Sequence, residues 1–389
     1  MSLSYDPRGV NRRAIPAILS LLIVVVLAYV VAAPSQAGTI ERVNVASDGT
    51  QANDYASSPS ISQNGQFVVF ASPATNLVPG DTNGRIDVFR HNRLDGTTIR
   101  VSVASDGSEG NDHSGFFLSD KCVSADGRYV AFDSYATNLV ANDTNGENDV
   151  FVHDCRTGET SRVSVASDGT EGNDTSFLPW ISAGGRYVVF ESEAGNLVPG
   201  DTNEEWNGTN AQDAFIHDRQ TGETTRVSVS TGGGQINDAS NRPSVSGEGR
   251  YVAFMSLGTN AAPGDRNETG DIFVHDRQAV ETRRVSVASD GTEANDISHN
   301  PAISADGRYV AFQSAASNLV SGDTNGWNDV FVHDLLTSVT TRVAAPPGDA
   351  TGNSGAKRPR ISAHGRYVAF SSDVSKLVPE DTDQYRDIF

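Results

Sequence analysis

An Arg-Val pair returns six times along this chain, and its spacing divides almost the whole sequence into copies of one unit. Successive copies are 58, 62, 64, 58 and 58 residues apart. The arginines of the six pairs are Arg42, Arg100, Arg162, Arg226, Arg284 and Arg342. A unit of this size cannot bury its own apolar face, so stacked neighbours must build the core together. We therefore predict six repeats, starting near residues 41, 99, 161, 225, 283 and 341.

Four short segments of each copy have the pattern of β-strands. In the copy at residues 301–343 they read PAIS, RYVAF, DVFVHD and TTRV. The Asp306-Gly307 turn between the first two supplies the positive φ angles that a tight hairpin needs. RYVAF and DVFVHD are apolar on both alternating faces, which is typical of a sheet packed between two others. No segment beyond residue 37 has a helical period.

Four-stranded units repeated in this way are typical of a β-propeller. The predicted fold class is therefore all-β, a six-bladed β-propeller of four-stranded antiparallel blades over residues 38–389. The last copy stops at Phe389, within its third strand, and the segment from Thr39 to Val45 reads as an orphan fourth strand. Pairing these two segments would close the ring and cover an open sheet edge.

The pattern SADGRYVAF…DVFVHD…TTRVS resembles the TolB-type, WD-repeat-like propeller family over about residues 39–389. The resemblance implies a scaffold or interaction role in the cell envelope. Propellers that look like this also occur in prolyl oligopeptidase-like enzymes, which add a hydrolase domain. The nucleophile-elbow pattern G-x-S-x-G of such hydrolases does not occur in this sequence.

The charge balance excludes one class of partner. The chain carries 29 Lys and Arg against 49 Asp and Glu, a net charge of −20. A nucleic-acid binder needs a basic footprint, which this sequence lacks. We expect a monomer that binds an envelope or extracellular protein, or a small ligand.

Residues 1–37 have the pattern of an export signal. Arginines at positions 8, 12 and 13 precede an apolar run at residues 14–33, and small residues follow up to Ala37. This pattern predicts cleavage after Ala37 and a periplasmic or extracellular protein. The alternative is an uncleaved membrane anchor, because about 20 apolar residues can span a bilayer.

A loop rich in Asp and Asn joins the second and third strands of each copy. Antiparallel order places it on the same rim as the Asp-rich loop after the fourth strand. Oxygen-bearing side chains recur in the first loop at positions one, three and seven; they are Asp81, Asn83, Asp87, Asp143, Asn145, Asp149, Asp265, Asn267, Asp271, Asp323, Asn325, Asp329, Asp381, Asp383 and Asp387. Ca²⁺ takes about six to eight oxygen ligands, so the loops predict structural calcium sites. The alternative is that these side chains only cap the turn.

The copies disagree most on the inner strand, beside its proline. These positions line the central channel or its mouth, and they include Trp180, Arg242, Arg358 and Arg360. An aromatic ring with cationic groups suits an anionic or sugar-like ligand. The alternative is that these residues plug the channel and pair with acidic groups. An insertion at residues 204–212 in the third copy adds Trp206 as a candidate anchor.

The histidine pattern does not indicate a metal site, and the cysteine pattern does not indicate a disulfide. His153 and its three counterparts in VHD or IHD lie on the third strand, too far apart to share a metal, so we expect them to have a structural role. Cys122 lies on a first strand and Cys155 just beyond a third, so the second strand separates them and a disulfide is not expected.

The leading hypothesis is an exported, non-catalytic propeller that binds a protein or ligand and is stabilised by calcium. No catalytic residues are assigned. The alternative is a hydrolase or lyase acting on sugars or peptides at the mouth of the channel. That reaction would need paired carboxylates or an activated nucleophile. Asp120 is the one carboxylate that the pattern places near the axis, and the sequence shows no partner for it.

Overall fold

A computed structural model describes residues 40–203, 211–343, 355–372, 377–378 and 385–389. The chain divides into two units, Met1–Glu41 and Arg42–Phe389. The predicted export signal, most of the insertion with Trp206, and the candidate ligands Asp381 and Asp383 lie outside the described residues. The described part contains strands and turns, and none of it forms an apolar helix long enough to cross a membrane.

The strands form six sheets, here called blades 1 to 6. Blade 1 contains β1 (Ser57–Ile61), β2 (Phe67–Ser72), β3 (Asp87–Asn92) and β4 (Thr98–Arg100). Blade 2 contains β5 (Tyr129–Ser134), β6 (Asp149–Asp154) and β7 (Glu159–Arg162). Blade 3 contains β8 (Ser176–Ile181), β9 (Tyr187–Ser192), β10 (Asp213–Asp218) and β11 (Glu223–Arg226). Blade 4 contains β12 (Ser240–Val245), β13 (Tyr251–Ser256), β14 (Asp271–Asp276) and β15 (Glu281–Arg284). Blade 5 contains β16 (Ser298–Ile303), β17 (Tyr309–Ser314), β18 (Asp329–Asp334) and β19 (Val339–Arg342). Blade 6 contains β20 (Lys357–Ile361), β21 (Val368–Ser372) and β22 (Asp387–Ile388).

Within every blade, consecutive strands pair antiparallel in chain order. Blades 1, 3, 4 and 5 are four-stranded, and blades 2 and 6 have three strands each in the described residues. The predicted all-β, six-bladed propeller is therefore confirmed, with two blades that depart from the four-stranded pattern. In blade 2 the departure lies on the inner side, where isolated bridges at Ser114 and Val123 replace a continuous first strand.

The inner strands share a bulge at the residue before their proline. That residue has a left-handed φ of 51–55° in five blades; the five are Ser58, Leu178, Arg242, Asn300 and Arg358. The pairing register between the first two strands shifts at the same place in each of these blades. A bulge re-aims the side chains around it, so it sets what faces the channel mouth.

The core lies between neighbouring blades; one apolar cluster, for example, contains Val69 of blade 1 together with Phe132 and Phe151 of blade 2. A phenylalanine of each second strand stacks on one of the third, as in Phe132 and Phe151 with ring centroids 5.8 Å apart. The ring of Tyr129 packs against Gly185 in the next blade, where a Cβ atom would lie 2.2 Å from the tyrosine. The glycine of the hairpin turn thus provides a positive φ of 73° and also the space for the neighbouring blade.

In blades 2 to 5, a buried histidine and its threonine partner link the blade to the one before it. His153 Nδ1 lies 2.9 Å from the hydroxyl of Thr160, and that hydroxyl donates to the carbonyl of Val103 in the preceding blade. Burial lowers the pKa of His153 to about 4, so the ring is neutral at pH 7. The histidines therefore have the structural role that the sequence predicts, and the same link recurs at His217, His275 and His333.

The N-terminal segment joins this system of links. The hydroxyl of Thr98 in blade 1 donates to the carbonyl of Val45, as its counterparts do to the preceding blades. Residues 45–52 thus contact blade 1 in the same way that the segment after a fourth strand contacts the following blade elsewhere in the ring. Within the described part of the chain, residues 42–45 form no ladder with β22, so closure of the ring by this segment stays a prediction.

The two cysteines are free thiols, as expected from their separation. Cys122 is fully buried among apolar side chains of blades 1 and 2, and Cys155 packs against the same cluster. Burial raises the pKa of the Cys122 thiol to about 12 and that of Cys155 to about 11, so both thiols are protonated and unreactive at pH 7.

Candidate functional site

The two acidic loops of each blade share one rim, as predicted from antiparallel order. In blade 1, the Thr82 backbone N–H donates to Glu109 across the two loops at 3.0 Å. Asn83 Nδ2 likewise donates to the Gly110 carbonyl at 2.9 Å. We call this end of the propeller the acidic rim.

An arginine occupies the centre of the acidic cluster in each of blades 1 to 5. In blade 2, Arg162 Nη1 lies 2.9 Å from Asp149 and 3.6 Å from Asp143, and it also contacts Glu171. The Arg162 side chain is only 8 % exposed. The same arrangement surrounds Arg100 and Arg284, and the aspartate pairs of the other clusters bind Arg226 and Arg342.

These arginines are the members of the repeating Arg-Val pair, and sequence reasoning missed their role. In the sequence, these arginines were taken only as markers of the repeat length. The signal was available, because each acidic loop is followed in sequence by an arginine on the strand that borders it. A buried guanidinium supplies the positive charge that a carboxylate cluster needs.

The loop asparagines cap turns. Asn145 Oδ1 accepts the backbone N–H of Glu147 at 2.9 Å, while its Nδ2 donates to the Gly172 carbonyl at 2.9 Å. These two bonds orient the amide so that its nitrogen faces Asp149. The same turn bond recurs at Asn83, Asn267 and Asn325. In this orientation the amide oxygen is not directed at the carboxylates, where a cation would need it.

One guanidinium does not fully relieve the charge of three carboxyl groups. Burial, and then the charge of Asp149, raise the pKa of Asp143 to about 6. Burial, and then Asp87, raise the pKa of Asp81 to about 6 in the same way. These clusters therefore favour protons or additional positive charge.

Two of the clusters could hold a metal ion by their geometry alone. Asp143, Asp149 and Glu171 form one, and Asp265, Asp271 and Glu293 the other; within each, one oxygen per residue lies within 4.8 Å of the others. In both clusters an arginine contacts the same three carboxyl groups. Asp323 and Asp329 pair with their arginine at 3.4 and 3.0 Å, and Asp387 is exposed on the short β22.

Side chains from the inner segments of three blades meet near the axis of the ring, and we call this group the plug. Trp180 of blade 3 is 6 % exposed, with Lys121 Nζ 5.0 Å and Arg360 Cζ 5.7 Å from its ring centroid. Arg360 of blade 6 also pairs with Asp120 of blade 2. Burial lowers the pKa of Lys121 to about 8. Trp180 is thus buried in the plug, whereas the Arg360 side chain is 33 % exposed, and the partner that the sequence did not reveal for Asp120 is Arg360.

The other two candidates, Arg242 and Arg358, are exposed. They lie in the first half of inner strands that begin at the acidic rim, which places them at the mouth of the channel on that rim. Arg242 Nη1 donates to Asn300 Oδ1 at 2.8 Å. The Arg358 backbone N–H donates to Gln313 Oε1 at 3.2 Å, and Asn300 Nδ2 donates to the same oxygen at 3.0 Å. All three mouth residues carry the left-handed φ of the inner-strand bulge.

Two buried carboxyl groups beneath the mouth were missed in the sequence. Glu191 is 2 % exposed and accepts the Arg242 backbone N–H at 2.6 Å; burial raises its pKa to about 7. Asp133 is fully buried and accepts the Phe117 backbone N–H at 3.2 Å; burial raises its pKa to about 6. Both stand at one position of the second strand, before its last serine, where Ala71 and Met255 show that an apolar residue also fits.

Six antiparallel sheets around a plugged channel define this chain as a six-bladed β-propeller. No protein-family model and no curated protein sequence matches the chain. In fold it is similar to solved propellers, among them TolB from Acinetobacter baumannii (14 % identity, 80 % of this chain and 59 % of that one, TM-score 0.43). It is also similar to a putative TolB from Agrobacterium tumefaciens (16 %, 75 % and 81 %, 0.42) and to an oligogalacturonate lyase in complex with manganese (14 %, 87 % and 74 %, 0.49). These likenesses concern the fold alone.

Proposed function

We propose that this chain is an exported, monomeric and non-catalytic scaffold that binds an anionic ligand at the channel mouth. The supporting observation is the pair of exposed guanidinium groups, Arg242 and Arg358, on either side of Asn300. They stand at inner-strand positions where the six copies differ, so they are not needed to build a blade. A carboxylate or phosphate group can accept several hydrogen bonds from such groups.

The site is held in place from below. The backbone of Arg242 is bonded to the buried Glu191, and the backbone of Arg358 to Gln313. Because these bonds fix the bulge, the two guanidinium groups are presented from a rigid base, which reduces the entropy lost on binding.

Binding of anionic probes to the full chain tests this proposal. An Asp-rich peptide and oligogalacturonate are the probes, and a neutral maltooligosaccharide is the control. We expect Arg242→Ala and Arg358→Ala each to weaken anion binding roughly tenfold, because each removes charge-assisted hydrogen bonds. Arg156→Ala, an exposed arginine in the turn on the opposite rim, is the matched control and is expected to bind as the unaltered chain does. Equal affinity of all three variants contradicts the proposal.

A hydrolase or lyase at the same mouth is the second candidate, and the buried carboxyl groups favour it. Glu191, with a pKa of about 7, has the proton affinity that a general acid needs. Its contact is a backbone N–H rather than an open cavity, which favours a structural role. Turnover of oligosaccharides or peptides by the full chain, abolished by Glu191→Gln, would overturn the non-catalytic assignment.

The second part of the proposal concerns the positive charge that balances the carboxylate clusters of the acidic rim. We infer that arginine takes this role in the unaltered protein, since the guanidinium contacts the carboxyl groups that Ca²⁺ would need and the asparagine amides turn their nitrogen inward. Structural calcium is the competing proposal. A calcium titration of the protein and of an arginine variant, described in the Discussion, separates the two.

Export rests on residues 1–37 alone. We expect the protein recovered from outside the cytoplasm to begin at Gly38, because the pattern predicts cleavage after Ala37. Sequencing its N-terminus by Edman degradation measures this directly. A chain that begins at residue 1 or 2 and sediments with membranes would instead identify the segment as an anchor.

A further inference from the structure

An exposed aromatic cluster lies beside the channel mouth in blade 2. We call Phe116, Phe117 and Tyr135 the aromatic patch; their exposed fractions are 51, 43 and 37 %. Phe116 lies 6.5 Å from each of the other two rings, centroid to centroid. His113 and Phe177 extend the cluster, at 5.0 Å from Phe116 and 5.4 Å from Phe117.

The patch comes from an insertion that blade building does not require. Val123 follows Asn111 by twelve positions in blade 2, whereas the equivalent Ile61 follows Asn53 by eight positions in blade 1. The insertion is nevertheless ordered. The Phe117 backbone N–H is bonded to both oxygens of the buried Asp133, so the rings are held on the surface by a specific contact. Neighbouring exposed aromatic rings on a fixed loop are typical of an interaction surface.

Carboxylates lie close to Tyr135, one of the three rings of the patch. Burial, and then the charges of Asp133, Glu147 and Glu193, raise the pKa of the Tyr135 hydroxyl, which places these acidic groups close to its ring. Glu147 is exposed, and Glu193 is half-buried with an oxygen 3.0 Å from Gln212 Nε2. The neighbouring cation, Arg85, is already engaged with Asp112 at 3.6 Å and with His113 at 3.3 Å.

We infer that the aromatic patch docks a basic polypeptide segment, with its arginine or lysine side chains on the rings of Phe116, Phe117 and Tyr135 and their charge facing Glu147 and Glu193. Cations bind favourably over aromatic faces, and a carboxylate border adds attraction and steers the encounter. The net charge of −20 acts in the same direction. This surface goes beyond the anion site of blades 4 to 6, because it takes a partner of the opposite charge and does not use Arg242 or Arg358.

The test is binding of a fluorescent peptide of alternating Arg and Gly to the full chain, followed by fluorescence anisotropy at increasing salt. We expect the double variant Phe116→Ala/Phe117→Ala to weaken binding about tenfold, since it removes two cation–aromatic contacts. Tyr55→Ala is the matched control, because it removes an exposed ring from the same rim of blade 1, where Tyr55 corresponds to His113. Its affinity is expected to stay unchanged.

A second pair of variants separates a local border from the overall charge. Glu147→Gln/Glu193→Gln and Glu248→Gln/Glu281→Gln remove the same charge, but Glu248 and Glu281 lie outside the patch. We expect only the first pair to weaken peptide binding by severalfold. Equal losses in both pairs, or equal affinity of Phe116→Ala/Phe117→Ala and Tyr55→Ala, would overturn the inference.

Two other occupants of the aromatic patch, a second copy of the chain or a sugar, would give different experimental results. If a second copy of the chain covers the patch, sedimentation will show a dimer that Phe116→Ala/Phe117→Ala dissociates. If a sugar covers it, a neutral maltooligosaccharide will bind while the Arg-Gly peptide does not. Either outcome contradicts the docking of a basic segment. Unchanged anion binding in Arg242→Ala and Arg358→Ala would contradict the proposed anion site but would leave this inference intact, so the two proposals can fail separately.

Discussion

Replacing Arg162 by alanine is expected to destabilise the protein by about 3–5 kcal/mol, the usual cost of removing one partner from a buried ion pair. The side chain is 8 % exposed and contacts Asp143, Asp149 and Glu171. Without it, three neighbouring carboxyl groups repel each other in a buried site. Urea unfolding of the full chain measures the loss, and the exposed Arg156→Ala in the same blade is the control, with a change within about 0.5 kcal/mol.

Calcium should distinguish the variant from the unaltered protein. Once the guanidinium is gone, Asp143, Asp149 and Glu171 have oxygens within 4.8 Å of one another and a suitable charge for a divalent ion. A ligand that binds only the folded state raises its stability as its concentration rises. We therefore expect Ca²⁺ to raise the unfolding midpoint of Arg162→Ala after EDTA treatment, and to leave the unaltered chain unchanged. A calcium-dependent rise in the unaltered chain would instead support the calcium sites predicted from the loops.

Replacing Glu191 by glutamine is expected to stabilise the protein by up to about 3 kcal/mol at pH 8, and to have little effect near pH 4. In the folded state the pKa of Glu191 is raised to about 7 by burial, above its unfolded value. Its contribution to stability is therefore complete below the unfolded pKa and is lost as the pH rises through 7. Glutamine keeps an oxygen for the Arg242 backbone N–H and carries no charge, so it avoids this loss.

The measurement is the free energy of unfolding of both proteins between pH 4 and 8.5. The difference should grow across the interval from about 4.5 to 7, where the unfolded chain ionises Glu191 and the folded chain does not. Glu248→Gln, at an exposed position on the opposite rim, should show no comparable growth. A pH-independent difference for Glu191→Gln would mean that the carboxyl group is solvated or paired in the folded protein.

The repeat made the architecture predictable, because each copy carries its own strand pattern and hairpin turns. Six blades, the shared rim of the acidic loops, the structural histidines and the free cysteines all follow from period, alternation and antiparallel order. The Asp306-Gly307 turn was correctly predicted to close a hairpin. Its contact with the preceding blade was not predictable in this way, because it is made by Tyr251, about 56 residues earlier in the sequence.

Departures from the repeat were harder to interpret. The longer inner segment of blade 2 was visible in the sequence, but not that it replaces a regular strand by an exposed aromatic patch. Likewise, Trp180 and Arg360 were recognised as unusual, yet only the ring brings blades 3 and 6 and Asp120 of blade 2 together at one axis.

The sequence by itself determined the number of blades, the order of their strands and the face on which the acidic loops lie, because these properties are local or follow from connectivity. Only the tertiary structure decided which charges meet. Arg162 reaches its carboxylates from another strand, and Arg360 reaches Asp120 across 240 residues of chain. Electrostatic interactions depend on distance and burial in space, and neither is encoded in the spacing of a repeat.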